Sequence, residues 1–191
     1  MQQRLAVIAI ALAAIAGGWW LAVRLRGGPP APTTTVSSST AAPTADARKI
    51  TATLYYVSED GMSLVGVQRE VPYGEGVIEQ ARQIVTAQLT KAPPPLVSAI
   101  PQGAALRALY MTERGDAFVD LSAEVRTMHS GGALDELFTV YSVVNALTTN
   151  LPAVTRVQIL IDGKEVDTLA GHVDLRHPLQ KNMKWVKTDK G

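Results

Sequence analysis

Val154 to Leu169 reads VTRVQILIDGKEVDTL, and its middle decides how the surrounding chain is parsed. Asp162-Gly163 separates two β-prone runs, Val154 to Ile161 and Lys164 to Leu169. An Asp-Gly pair in that position signals a type I′ turn, because both turn residues must adopt positive φ. A β-hairpin is therefore predicted here, and the segments on its N-terminal side alternate between helical and strand patterning.

Immediately upstream, Leu134 to Leu151 predicts a long helix. Leu134, Leu137, Phe138, Tyr141, Val144 and Thr148 form an apolar stripe, and Asp135 and Glu136 occupy the first turn, where the helix dipole favours acids. Ala104 to Thr112 and Ala117 to Leu121 read as strands around the turn residues Glu113-Arg114-Gly115-Asp116. Earlier still, Val77, Ile78, Ala81, Ile84, Val85 and Leu89 recur at helical spacing over Glu75 to Leu89. Pro93-Pro94-Pro95 ends that helix by removing backbone donors. Ile50 to Val57 and Met62 to Val71 flank the turn-rich Ser58-Glu59-Asp60-Gly61 and predict a first hairpin. The order β-β-α-β-β-α-β-β describes one small α+β domain over residues 50–179. It has about six mainly antiparallel strands, with two helices packed on one sheet face.

The N-terminal residues have a different character. Leu5 to Val23 (LAVIAIALAAIAGGWWLAV) is uncharged, bounded by Arg4 and Arg24, and about 28 Å long as a helix, close to a bilayer's hydrocarbon thickness. Trp19 and Trp20 suit headgroup depth. Residues 1–26 are read as a single-pass membrane anchor. The competing reading is a signal peptide cleaved near Ala14-Ile15-Ala16, which would leave a hydrophobic stub on the mature protein. Residues 27–49 (GGPPAPTTTVSSSTAAPTADARK) form a Pro/Ser/Thr/Ala linker with almost nothing to bury. Residues 180–191 are read as a basic tail, with Lys181, Lys184, Lys187 and Lys190 at every third position around Met183, Trp185 and Val186. A solvated terminus is the plain reading, and contact with anionic lipid or wall polymer the functional one.

The formal net charge of +1 conceals an uneven distribution. Residues 1–49 carry five basic and one acidic residue, residues 50–175 carry eight and fifteen, and residues 176–191 carry five and one. A folded region at −7 repels phosphate backbones, so no nucleic-acid partner is expected. With no cysteine, disulfides, thiol nucleophiles and Cys-based zinc sites are excluded.

Six words in fixed order carry a family resemblance: Tyr55-Tyr56, Ser98-Ala99-Ile100-Pro101, Ala117-Phe118-Val119-Asp120-Leu121-Ser122, Val144-Asn145-Ala146-Leu147-Thr148, Val157-Gln158-Ile159-Leu160-Ile161-Asp162-Gly163 and Gly171-His172-Val173-Asp174-Leu175. Together they resemble the GerM domain family of bacterial sporulation and spore-germination proteins, as a single-domain member. The resemblance implies a small extracytoplasmic α+β module behind a signal or membrane anchor, and brings with it no enzymatic activity, cofactor, metal or catalytic residues. The sporulation protein that names the family resembles a tandem of two such domains, whereas this chain holds one.

Several constellations invite chemistry. His172 and Asp174, two apart, would share a face on a strand, where the carboxylate could orient the imidazole as in a hydrolase; no activated nucleophile accompanies them. Zinc would need three or four converging ligands, and nothing in the spacing brings His129 or His177 to the same place. His129-Ser130-Gly131-Gly132 reads as a weak anion cradle or, more plainly, as a loop capping the helix that follows. Asn145 near the core is expected to satisfy loop or strand backbone, and Asp120 with Ser122 to cap a turn.

The expected function follows: a membrane-anchored module facing the extracytoplasmic space or periplasm from the bacterial cytoplasmic membrane, binding or scaffolding cell-wall or sporulation and germination partners without catalysis. A receptor for peptidoglycan or another wall polymer is the alternative, and a hydrolase using His172 and Asp174 the second.

Overall fold

A computed structural model describes residues 48–187. The apolar run at residues 5–23, nearly all of the linker and the last four residues of the tail lie outside the described residues. Among the described residues no helix is long and apolar enough to cross a membrane.

The first hairpin forms where the sequence places it. β1 (Lys49–Val57) and β2 (Leu64–Pro72) pair antiparallel, with Lys49 opposite Pro72 and Val57 opposite Leu64. The Asp162-Gly163 turn also forms as read: Asp162 has φ 50° and Gly163 φ 75°, as a type I′ turn demands. Its hairpin belongs to a second sheet built from β3 (Leu106–Met111), β4 (Asp116–Leu121), β5 (Arg156–Ile161), β6 (Lys164–Glu165) and β7 (Leu179–Gln180). The strand order is β3-β4-β5-β6. β7 shares the outer edge of β5 with β6, opposite Arg156 and Val157.

All strand pairs are antiparallel except β4 with β5, which run parallel with Asp116 opposite Arg156. Parallel neighbours need a crossover, supplied here by the short helix α2 (Glu124–Thr127) and the long helix α3 (Ala133–Asn150). A bidentate ion pair fixes the parallel register at its first residue: Arg156 Nε and Nη2 donate to the two carboxylate oxygens of Asp116 at 2.7 and 2.9 Å.

Two expectations need correction. The strands form two sheets rather than one, and each long helix packs against strands of both instead of against a single sheet. The helix α1 (Gly76–Gln88) packs on β1, β2 and β3, while α3 packs on α1, β1, β5 and β7. The composition of α3 gives the reason. From Ser142 to Thr148 every residue is buried, so the helix is covered on all sides rather than along one stripe. Of the predicted stripe Phe138, Val144 and Thr148 are buried, Leu134, Leu137 and Tyr141 only partly so, and Glu136, Val140, Val143 and Leu147 are buried beside them.

The second half of the C-terminal hairpin is also shorter than predicted. β6 ends at Glu165, because the chain then turns away to meet the start of α3. Residues 180–187 are docked: Leu64 N donates to Trp185 O and Lys187 N to Leu64 O, both at 2.7 Å. The amide of Asn145 bonds both backbone groups of Asn182, at 2.8 and 2.9 Å.

The outer edge of β1 is closed by side chains. Tyr55 N donates to Gln88 Oε1 at 2.9 Å and Gln88 Nε2 donates to Tyr55 O at 2.6 Å. Asn150 makes the same pair of bonds with Thr53, each at 2.8 Å. Val57 is bridged by Val97. Gln88 and Asn150 are the last residues of α1 and α3, so each helix ends on an amide that substitutes for a strand residue. This edge is therefore not open to another chain.

Candidate functional site

The carboxylate and imidazole groups that suggested chemistry go to separate places. His172 lies in a bent loop, not on a strand, and Asp174 does not reach it. Asp174 is instead gripped by Arg176, with Nε and Nη2 at 2.9 and 2.7 Å. That guanidinium, together with the Arg176 backbone N–H, holds its carboxyl well below the usual range. The His172–Asp174 pair is thus not assembled.

His172 pairs with a residue that the sequence placed in the first turn of the helix, where the dipole favours acids. Glu136 is fully buried and accepts hydrogen bonds from Leu169 N at 2.8 Å, His172 N at 2.8 Å and His172 Nδ1 at 3.1 Å. Burial pushes its carboxyl up, but the backbone N–H groups of Ala170, His172, Leu169 and Val173 outweigh that and hold it below the ordinary carboxylate range. A carboxylate can only accept, so Nδ1 carries a proton and donates to Glu136. Among the described residues no hydroxyl is hydrogen-bonded to Nε2. Chemically this is a carboxylate that ties the loop at 169–173 to the start of α3. Its position was readable: Glu136, Val140, Val143 and Leu147 fall at helical spacing on one line.

His129 is equally committed. Its Nδ1 accepts from Gly131 N at 3.0 Å, and its Nε2 lies 3.1 Å from Thr139 Oγ1, which donates onward to Ala99 O at 2.6 Å. The donor chain therefore assigns the Nε2–H tautomer. Ser130 Oγ donates to Asp135 Oδ2 at 2.8 Å, and Gly132, at φ 90°, stands at the helix start. The His129–Gly132 segment closes a turn, and the Asp135 carboxylate faces it, bonded to Ser130, where an anion would need to sit. Asp120 does what a turn-capping acid does: Oδ1 accepts Gly163 N at 2.7 Å and Oδ2 accepts Arg107 Nε at 3.3 Å. Arg107 also reaches Asp162 at 2.8 Å. Among the described residues no group of three or more His, Asp or Glu side chains is arranged to hold a metal ion.

What remains concave is a cleft of about 620 Å³ between the α1–β3 connection and the turn before α3. Leu89, Leu96, Val97 and Ile100 line one side and Met128 and His129 the other, with Lys91 on the rim. Its volume lies within the range of ligand sites, and its walls are mostly apolar. A shallower hollow of about 460 Å³ lies beside Val77, Ile78 and Met111. The sequence singled out two segments that contribute to its walls, Ser98-Ala99-Ile100-Pro101 and His129-Ser130-Gly131-Gly132, but not their meeting, because both are irregular and lie far apart in the chain.

Comparison with known proteins places this architecture. A family model described as "Germane: Sporulation and spore germination" matches residues 53–167. No curated protein matches the chain. Three solved structures share the fold at low sequence identity. A provisionally named lipoprotein of Clostridium perfringens is 22% identical, with a TM-score of 0.51, over 70% of this chain and 88% of its own. The first GerMN domain of the sporulation protein GerM from Bacillus subtilis is 19% identical, with a TM-score of 0.54, over 69% of this chain and 97% of its own. The tandem GerMN domains of the same protein are 20% identical, with a TM-score of 0.55, over 70% of this chain and 46% of theirs. This chain thus spans about half the length of the tandem. The family match covers more than half of the chain, which therefore belongs to the Germane family of sporulation and spore-germination domains.

Proposed function

We propose that this protein is a binding or scaffolding module of the bacterial envelope, tethered to the cytoplasmic membrane by residues 5–23 and working outside it without catalysis. The placement is supported by the uncharged nineteen-residue run and its Pro/Ser/Thr/Ala stalk. Its kinship with sporulation and germination domains, and its likeness to the clostridial lipoprotein, point the same way.

The observation that supports the non-catalytic reading is that Glu136, His129, Asp174 and Asp120 are each tied into the fold, and that His172 has neither Asp174 nor a hydroxyl nucleophile hydrogen-bonded to it among the described residues. Glu136 is wrapped by backbone N–H groups, both ring nitrogens of His129 are bonded internally, Asp174 faces Arg176, and Asp120 holds a turn. The apolar cleft is then the feature left to act on another molecule.

A reporter enzyme that is active only outside the cytoplasm, fused after Gly191, tests the placement. Activity in cells and retention of the full chain in carbonate-washed membranes are expected; a cytosolic or carbonate-soluble product overturns it. Sedimentation with purified sacculi separates the two binding readings, since a wall-polymer receptor pellets with them and a protein scaffold stays in solution.

A further inference from the structure

The main cleft offers three features to a partner. The first is apolar surface held in water: Val97 is 58% exposed and Met128 64%, above the buried Ile100 and the partly buried Leu89 and Leu96. The second is backbone. Val97 exchanges both its hydrogen bonds with Val57, at 2.8 and 3.0 Å, as in an antiparallel bridge. Successive residues of an extended chain direct their polar groups to opposite sides, so the N–H and C=O of Ser98 face away from β1. Neither has a hydrogen-bond partner among the described residues.

The third feature is charge. Lys91 stands on the rim, and Arg69 lies behind it, with Nη1 donating to Tyr56 Oη at 2.9 Å and to the Lys91 carbonyl at 3.3 Å. Among the described residues neither cation forms an ion pair.

We infer that the cleft binds an extended segment of a partner protein. The segment adds a donor and an acceptor at Ser98, seats one apolar side chain between Val97, Ile100 and Met128, and presents a carboxylate to Lys91, with Arg69 adding positive charge from behind the rim. This inference rests on reading the domain as a binding module and names what the module binds. A polypeptide supplies all three complements together, and sedimentation with sacculi separates it from the stem peptides of a wall polymer. Its backbone matches Ser98 as an added strand does, its side chain fills the apolar wall, and an Asp, Glu or terminal carboxylate answers the two cations. A lipid tail leaves Ser98 unanswered, and a glycan leaves the apolar wall uncovered.

Random heptapeptides displayed on phage and selected on the full chain in detergent micelles test this. Enriched sequences should place Asp or Glu within three residues of Leu, Ile, Val or Phe. As synthetic peptides they should bind with Kd on the order of 1–100 µM and shift the Ser98 amide resonance. Met128→Asp and Lys91→Glu should each weaken them at least about tenfold, or about 1.4 kcal/mol. Both side chains are exposed, and unchanged thermal melting of the variants shows that folding is intact.

The inference is overturned if no sequence family is enriched, or if the enriched peptides ignore both substitutions. It also fails if peptides bind only after residues 188–191 are removed, which makes the chain's own end the occupant, or if the substitutions abolish pelleting with sacculi while no peptide binds. A cytosolic reporter alongside intact peptide binding refutes the envelope placement and supports the cleft.

Discussion

Replacing Glu136 with Gln removes one negative charge and changes almost no volume, at a site where three donors converge. Leu169 N faces Oε1, while His172 N and His172 Nδ1 face Oε2. A Gln side chain must put an NH2 group against one of those sets. The cheaper orientation confronts the single Leu169 donor and strips charge assistance from the other two bonds. Hydrogen bonds to an ionised group contribute about 1.5–3 kcal/mol each, and a buried donor without an acceptor adds its own desolvation cost, so the expected loss is about 2–4 kcal/mol. Against a total stability on the order of 5–15 kcal/mol this is severe, and it corresponds to a fall in Tm of roughly 10 °C for a domain of this size.

The pH dependence gives an independent check of sign. The native carboxyl is held below its ordinary value of 4.5 by the backbone donors, against the opposing effect of burial. A group depressed in the folded state contributes stability that is complete above its unfolded pKa and is lost as pH falls through the native one. The parent should therefore weaken progressively below about pH 4.5, while Glu136→Gln should weaken less steeply over the same interval. The exposed carboxylates Asp60, Glu124 and Asp174, also depressed, titrate in both proteins and cancel in the difference. Urea denaturation of a chain beginning at Thr44, the start of the compact unit, followed by circular dichroism from pH 7 to pH 3, measures both effects. A loss under about 1 kcal/mol, or parallel pH curves, refutes the assignment of Glu136 as a charged tie between the loop at 169–173 and α3.

Other substitutions probe the remaining devices. Gln88→Ala leaves the Tyr55 N–H and C=O buried without partners and should cost about 2–4 kcal/mol in urea denaturation, with new association visible by sedimentation velocity as the β1 edge opens. Asn150→Ala, at a part-buried position, should cost about 1–2 kcal/mol in the same measurement. Gly115→Ala sets a Cβ 2.6 Å from Ala153 O at φ +84°, and a loss above about 2 kcal/mol is expected from thermal melting. Asp120→Ala frees Gly163 N and one side of Arg107. Faster amide exchange at Gly163 and a loss of about 2 kcal/mol should follow.

The legible and illegible parts of this protein divide by the range of the interaction that decides them. Asp162-Gly163 dictates its turn through the φ values of two adjacent residues, and the sequence shows that directly. The same holds for the spans of α1 and α3, whose apolar spacing is local. Whether α3 lies against one sheet or is covered on several sides depends on elements far away in the chain, and periodicity alone misassigned it. The clue was a helix uncharged all round from Ser142 to Thr148. The buried polar residues extend the point. Glu136 falls on the line of Val140, Val143 and Leu147, and Gln88 continues the line of Ala81, Ile84 and Val85. A polar side chain on an apolar stripe must find a buried partner. For Gln88 that partner is the backbone of β1, and for Glu136 the N–H groups of a loop more than thirty residues away. Sequence reasoning that read Glu136 only as a dipole-favoured acid of the first helical turn, and gave Gln88 no role, missed both, although their spacing already marked them. The cleft was marked only in pieces, by Ser98-Ala99-Ile100-Pro101 and by His129-Ser130. Its walls are Leu96 to Ile100 and Met128 to His129, irregular segments brought together only after the two sheets close on α1 and α3. The part of this protein most exposed to a partner is accordingly the part that local patterning says least about.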